Sequence, residues 1–395
     1  MFNDARAIVP ARPVLLFYCQ HSLGIGHLTR SFALSAALGA HFHVVFLNGG
    51  RLPPGLPVPA GIELIDLPPL GMDDGHTVVS RDAKQDVAQA MAQRRVLIEA
   101  ALRRHRPAML LVELFPFGRK KFAGEILPLI RLARQQQARV VCSLRDILVD
   151  ARPDQQRHDD RARWLVDRYF DAVLVHADPA LARLEDSFHP RRPLRVPAHY
   201  TGYVVPARAT AGAVPRSKHL LVSAGGGIVG AALLHAALQA RALLREPLPM
   251  RLIAGPFLPE HEWQALRAAA HGMDSVELLR QVPDMVAEMR CARASVSQCG
   301  YNTALDILVS RVPALVVPYA TATENEQAER AGKLAALGAL QQLDPAALDP
   351  ARLAAAIEAL LGFAPNAVSL GLDGATDSAR RLLALHRHHA SCTPA

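Results

Sequence analysis

What most constrains this chain is an alternation that starts, breaks once and starts again. Short apolar, β-branched runs take turns with helical stretches. Strands are predicted at 14–19, 43–47, 62–66, 109–112, 139–143 and 172–175, with helices between them, for example at 27–38, 82–104 and 124–137. Strands that alternate with helices build parallel sheets covered on both faces. The rhythm stops over 190–217, which carries Pro190, Pro193, Pro197, Pro206 and Pro215 and reads as a linker. It resumes with strands at 219–223, 251–254, 275–278, 294–297 and 314–317. Single cores stop growing near about 250–300 residues, so a chain of 395 divides into two. The expected fold is α/β, with two Rossmann-like doubly wound domains, 1–205 and 206–383, facing a central cleft, and a flexible tail at 384–395. Ligands of open α/β sheets sit at the carboxyl ends of the strands, which places them in that cleft.

Composition narrows the function classes. Half the residues are hydrophobic and 20% are charged, which excludes a disordered chain. No apolar run approaches the ~18 residues of a spanning helix. Asp4, Arg6 and Arg12 interrupt the amino terminus, and 14–19 is too short for the core of a signal peptide, so a cytoplasmic protein is expected. The five cysteines, Cys19, Cys142, Cys291, Cys299 and Cys392, include no C-x-x-C, which argues against a disulfide framework or a zinc knuckle. Of the net charge of +8, residues 1–205 carry 27 Lys and Arg against 20 Asp and Glu. The charges are scattered rather than blocked, so no nucleic-acid partner is expected. A basic first half suits an anionic acceptor or the inner face of a membrane; Arg-rich base composition is the plainer reading.

Three segments carry candidate chemistry. Gly24-Ile25-Gly26-His27-Leu28-Thr29-Arg30 follows the first strand and opens the first helix. Glycines there admit a ligand to the backbone, and the helix amino end favours negative charge. His27 is placed to act as a general base or to orient an anion, or simply to cap its helix. Ser223-Ala224-Gly225-Gly226-Gly227-Ile228-Val229-Gly230 holds the same position in the second half. Its match to G-x-G-x-x-G is weak as a dinucleotide signal, because the next strand ends in Ala254-Gly255-Pro256 with no acidic residue for a ribose. Free amides in such a turn suit any diphosphate. The third segment runs from Val282 through Gln298, Gly300, Tyr301, Asn302, Thr303 and Asp306 to Glu326, Gln327 and Arg330. Thr303 and Asp306 lie one helical turn apart and can face one ligand, with Asp306 able to chelate two ribose hydroxyls.

Glu113 and Arg119 flank Phe115-Pro116-Phe117 after a strand ending at the same rim. Glu113 is a candidate base, and Arg119 or Arg145 a candidate partner for an acceptor anion. Loop-holding ion pairs, Arg145–Asp146 or Glu113–Arg119, are the alternative. The chain has no D-x-D, H-E-x-x-H, G-x-x-x-x-G-K or G-x-S-x-G, so neither a catalytic metal nor a cofactor is expected. His386, His388, His389 and Cys392 read as a solvated tail.

These segments, with Glu113 to Arg119, Ser143 to Ile147, Tyr200 to Val204 and Glu326 to Ala331, run in order along most of the chain. Together they resemble the GT-B glycosyltransferases. The resemblance is to the family 28-type group, which includes the enzyme adding N-acetylglucosamine to the peptidoglycan lipid intermediate, and within it to a set of bacterial glycosyltransferases. It implies that the second domain holds a nucleotide-sugar donor, preferably a UDP-sugar. Gly225, Gly226 and Gly227 would cradle the diphosphate, with Gln298, Gly300, Tyr301, Asn302 and Thr303 nearby. Asp306, where the family usually carries Glu, would meet the ribose, Val282 the base, and Glu326 and Gln327 the sugar hydroxyls. The first domain would bind the acceptor hydroxyl through Gly24, Gly26, Arg30, Arg119, Arg145 and Asp146, with His27 or Glu113 as base. The implied reaction is inverting, metal-independent sugar transfer. The G-x-G-H-x-x-R segment also resembles nucleotide-sugar hydrolases of the same fold, and a non-catalytic nucleotide-sugar-binding protein is the third reading.

Overall fold

The computed structural model describes residues 12–21, 26–53, 55–73, 77–150, 152–206, 217–321 and 324–392. In the first half the order is β1 (Val14–Cys19), α1 (Gly26–Leu38), β2 (His43–Asn48), β3 (Glu63–Asp66), β4 (Leu70–Met72), β5 (Val78–Ser80), α2 (Val87–His105), β6 (Met109–Glu113), α3 (Ala123–Gln135), β7 (Arg139–Arg145), α4 (Gln155–Tyr169), β8 (Ala172–His176) and β9 (Ala198–Tyr200). The second half continues with β10 (Leu220–Ser223), α5 (Ala231–Arg241), β11 (Met250–Ile253), α6 (Glu260–Ala270), β12 (Val276–Leu279), α7 (Met285–Cys291), β13 (Ala294–Ser297), α8 (Tyr301–Ser310), β14 (Ala314–Val316), α9 (Glu326–Ala336), β15 (Gln341–Gln342), α10 (Pro350–Leu360) and α11 (Gly374–Cys392).

Two parallel sheets result, ordered β3-β2-β1-β6-β7-β8-β9 and β12-β11-β10-β13-β14-β15, with β4 and β5 as a separate antiparallel pair. β1 lies between β2 and β6, with Leu15 opposite Val44 and Met109. β6 and β8 are buried along their whole length, as parallel strands covered on both faces must be. The strand order reverses between β1 and β6, and again between β10 and β13. Those two switch points are where crevices open at the carboxyl ends of the strands. The His27 and Glu113 segments follow β1 and end β6; the glycine run and Gln298 follow β10 and β13.

The strands expected from the sequence are all present, each within two residues of its expected bounds. Helix α2 starts at Val87 rather than at 82, because Asp86 and Gln89 close a capping box there.

Two expectations need correction. The proline-rich stretch is not only a connection: β9 lies inside it and pairs with β8, Val173 opposite Ala198. The chain past Leu383 is helical, and Leu385 packs against the first half. α11 runs to Cys392, and Ala379 and Leu382 enter the same apolar cluster as Leu28, Phe32 and Val204 of the first half. Residues 374–383, assigned to the second domain from the sequence, therefore pack on α1. Ala375, Ala379, Leu382 and Leu383 recur at helical spacing, so that face buries while Arg380 and Arg387 face outward. The return crossing is tight: Tyr203 N donates to Gly371 O (2.7 Å) and Gly374 N to Tyr203 O (3.0 Å). At Gly202, φ is +80° and a Cβ would lie 2.7 Å from Gly371 O, so only glycine fits.

Candidate functional site

At the carboxyl end of the first sheet the charges close on one another. Glu113, the last residue of β6, is fully buried. His27 Nδ1 lies 2.6 Å from its Oε1, and Arg30 Nη2 donates to the same oxygen at 2.5 Å. His27 and Arg30, one turn apart at the start of α1, share a face. Arg119 Nε stands 3.7 Å from Glu113 Oε2. The loop that delivers it begins and ends in left-handed residues, Leu114 (φ 62°) and Arg119 (φ 59°), which turns both back toward β6. Glu113 Oε2 and Arg119 Nε and Nη2 have no hydrogen-bond partner among the described residues.

Burial works against the charge on Glu113, yet His27, Arg119 and Arg30 hold its carboxyl well below the usual carboxylate range. Burial also pushes His27 down to about 3, against the pull of Glu113. The imidazole is therefore neutral near pH 7 beside a carboxylate. Its one proton belongs on Nδ1, donated to Glu113, and Nε2 keeps its lone pair. The His27 side chain is 15% exposed and Glu113 not at all, so of the two sequence candidates only His27 meets solvent.

The second sheet presents backbone at the equivalent place. Gly225 (φ +55°) and Gly227 (φ +93°) follow β10, and Gly255 (φ +89°) follows β11. A Cβ on Gly227 would sit 2.6 Å from Ala254 O, and one on Gly255 2.5 Å from Gly226 C, so the two turns interlock only as glycines. Gly255 was not among the sequence candidates; its signal was the Ala254-Gly255-Pro256 turn after a strand. α5 opens at Gly230 without a side-chain cap, leaving amides directed along the turn. Gln298 Nε2 donates to Val229 O (3.1 Å), joining the β13 end to this loop. The hydroxyls of Ser223 and Ser297 are buried without partners among the described residues.

Several candidates hold the halves to each other instead. Tyr301 is buried; its hydroxyl accepts from Val204 N (3.0 Å) and donates to His176 O (3.1 Å). Arg30 and Arg330 both lie over its ring, their guanidinium carbons 5.2 and 5.9 Å from its centre. Asn302 Nδ2 donates to Gly26 O at 3.2 Å. Asp146 is fully buried with both oxygens bound by Arg330, at 2.8 Å each, and does not pair with Arg145 as the loop-holding alternative supposed. Burial opposes its charge, but Arg330 beside it holds the carboxyl down. Arg145 pairs instead with Glu326 of α9. Gln327 Oε1 accepts from Cys299 N (3.0 Å) and Tyr319 N (3.1 Å), tying the two loops that precede α8 and α9. Arg330, which ends the third segment and was given no site role from the sequence, is the residue on which this seam turns, since it also donates to Cys299 O at 2.9 Å.

Gly300 caps α8, on which Thr303 and Asp306 are half-buried, and Val282 packs against the large core. Gly24 lies outside the described residues. Among the described residues no helix is long and apolar enough to cross a membrane.

The glycosyltransferase family 28 C-terminal domain model matches residues 221–370. A curated relative in Mesorhizobium japonicum is the UDP-N-acetylglucosamine–N-acetylmuramyl-(pentapeptide) pyrophosphoryl-undecaprenol N-acetylglucosamine transferase, 37% identical over 117 residues. That match spans 28% of this chain and 30% of the relative. The solved MurG of Acinetobacter baumannii superposes with a TM-score of 0.54 at 15% identity, covering 95% of this chain and 99% of the other. The kitacinnamycin glycotransferase does so with a TM-score of 0.58 at 19% identity, covering 95% and 96%. The chain is thus built on the fold of the GT-B glycosyltransferases, and its residues 221–370 match the family 28 C-terminal domain model.

Proposed function

We propose that this protein is an inverting, metal-independent glycosyltransferase that moves a sugar from a nucleotide-sugar, by preference UDP-linked, to an acceptor hydroxyl held by the first half. The observation that carries the reading is the buried His27–Glu113 contact at 2.6 Å, set at one switch point with the glycine turns at the other. Glu113 fixes the Nδ1–H tautomer, and Nε2 takes the acceptor proton as the hydroxyl oxygen attacks the anomeric carbon. The C1–oxygen bond to the diphosphate breaks as the new bond forms. The imidazolium that results is balanced by the Glu113 carboxylate. The leaving diphosphate is received by the amides of the Gly225–Gly227 turn and the start of α5.

The preference for UDP rests on the donor in the relative's name and on the family 28 match to the second half. Thr303 and Asp306 stay in the proposal as ribose-facing residues, and Arg119, whose Nε and Nη2 make no hydrogen bond among the described residues, as the group that meets an anion on the acceptor. We place the enzyme in the cytoplasm, its basic first half able to meet an anionic membrane face.

Calorimetry and thermal shift with UDP, GDP, dTDP and their sugars, with and without Mg²⁺, test the donor half. A ligand at 100 times its Kd stabilises by about 2.7 kcal/mol. A uridine-selective, Mg²⁺-indifferent response is expected; a folded protein that answers to no nucleotide would sink the reading. Sugar release with no acceptor present would move the assignment to a hydrolase.

A further inference from the structure

We propose a transition-metal site at the amino edge of the first sheet, formed by His43, Glu63 and His105, at the opposite end of the strands from Glu113. His43 is the first residue of β2, Glu63 the first of β3, and His105 the last of α2. His43 Nε2 lies 3.4 Å from Glu63 Oε2, and His105 Nε2 lies 3.3 Å from Glu63 Oε1. One ligand atom from each of the three falls within 4.8 Å of the others. Zinc bound tetrahedrally at about 2.0–2.1 Å separates its ligands by roughly 3.3 Å. The two imidazoles meet different oxygens of Glu63, and a small rotation of that edge-strand carboxylate would draw the three ligand atoms from within 4.8 Å to that spacing.

A second observation points the same way. The His105 side chain is 8% exposed, and its Nε2 is buried with no hydrogen-bond partner among the described residues. The nitrogen meets Glu63 Oε1 at 3.3 Å without hydrogen-bond geometry, an arrangement that an ion held between the two would satisfy. His43, 46% exposed, leaves an entry path and a fourth position open to water. Arg104 Nη2 sits 3.8 Å from Glu63 Oε1 and competes for it, but its side chain is 75% exposed and free to swing away. Two imidazoles and one carboxylate suit Zn²⁺, Co²⁺ or Ni²⁺ rather than Mg²⁺ or Ca²⁺. The ion would tie the edge strand β3 to the end of α2 and touch nothing at the glycine turns. Positions 43, 63 and 105 lie too far apart in sequence for any metal-binding spacing to show.

The test is titration of the full-length, tag-free, chelator-treated protein with Co²⁺ and then Zn²⁺, reading visible d–d absorption and melting temperature. One equivalent of tetrahedral Co²⁺, displaced by Zn²⁺, is expected. His43→Ala, at an exposed position that leaves the fold intact, and Glu63→Gln should each weaken binding about 10–100-fold and abolish the metal-induced rise in melting temperature. His388→Ala should bind as wild type. Absence of binding at about a hundredfold excess of metal, or binding that survives both His43→Ala and Glu63→Gln, or that His388→Ala removes, would overturn the proposal.

Discussion

The two sheets reverse their strand order in the same way and offer opposite surfaces at the reversal. In the first half the carboxyl ends of β1 and β6 carry His27, Arg30, Glu113 and Arg119, packed within contact of one another. In the second half the ends of β10 and β11 carry Gly225, Gly226, Gly227 and Gly255, held by close backbone approach. Titratable side chains can take and return a proton but shift with their surroundings. Backbone amides do neither; they hold a fixed partial charge toward an anion at any pH. On the proposed function, one topology divides into a half that transfers a proton and a half that receives a diphosphate.

His27→Ala presses hardest on that division. If the first half works through its side chains, turnover should fall roughly 10²–10⁴-fold while the Kd for nucleotide stays within about threefold. Steady-state kinetics beside calorimetry decides it, and an equal loss in both quantities would break the comparison. Acid sharpens it from the side of stability. Burial pushes His27 and His176 down to about 3 and His21 to about 4, all three in the first half. Each takes a proton more readily unfolded than folded between its folded value and about 6.5, so stability rises with pH there and is lost as pH falls below 6.5. The slope reaches up to about 4 kcal/mol per pH unit if all three contribute. Glu113, held low, adds loss of the same sign below the ordinary carboxylate range. Denaturant titration from pH 7.5 to 4.5 should show this decline, and a flat profile would mean the histidines are not buried neutral. The smallest effect belongs to Gly227→Ala, where φ is +93° and a Cβ would sit 2.6 Å from Ala254 O. It should cost about 1–3 kcal/mol and weaken nucleotide binding, with the bound complex still turning over. Unchanged nucleotide affinity would remove the turn from the donor site.

How much was legible follows the range of each interaction. The strands were read within two residues because their signal is local composition and alternation. The glycine turn after β10 was read because a strand, a turn and a helix start stand next to one another in sequence. Tyr301 and Asp146 were read as ligand contacts, since a polar residue at a strand end looks the same whether it meets a substrate or another loop. The structure uses the Tyr301 hydroxyl on Val204 and His176, and both oxygens of Asp146 on Arg330, 184 residues away. A buried carboxylate needs a paired cation wherever the fold can bring one, and nothing in the neighbouring sequence says where that is.

Sequence alone determined the two runs of alternating strands and helices and the glycine turn after β10, because those depend on periodicities of two and 3.6 residues and on glycine's freedom at positive φ. Tertiary structure decided that His27 meets Glu113 across 86 residues, that Arg330 rather than Arg145 neutralises Asp146, and that α11 returns to cover α1. Those choices follow from burial: once the sheets close, each charge and each apolar helix face is settled against whatever the packing brings beside it.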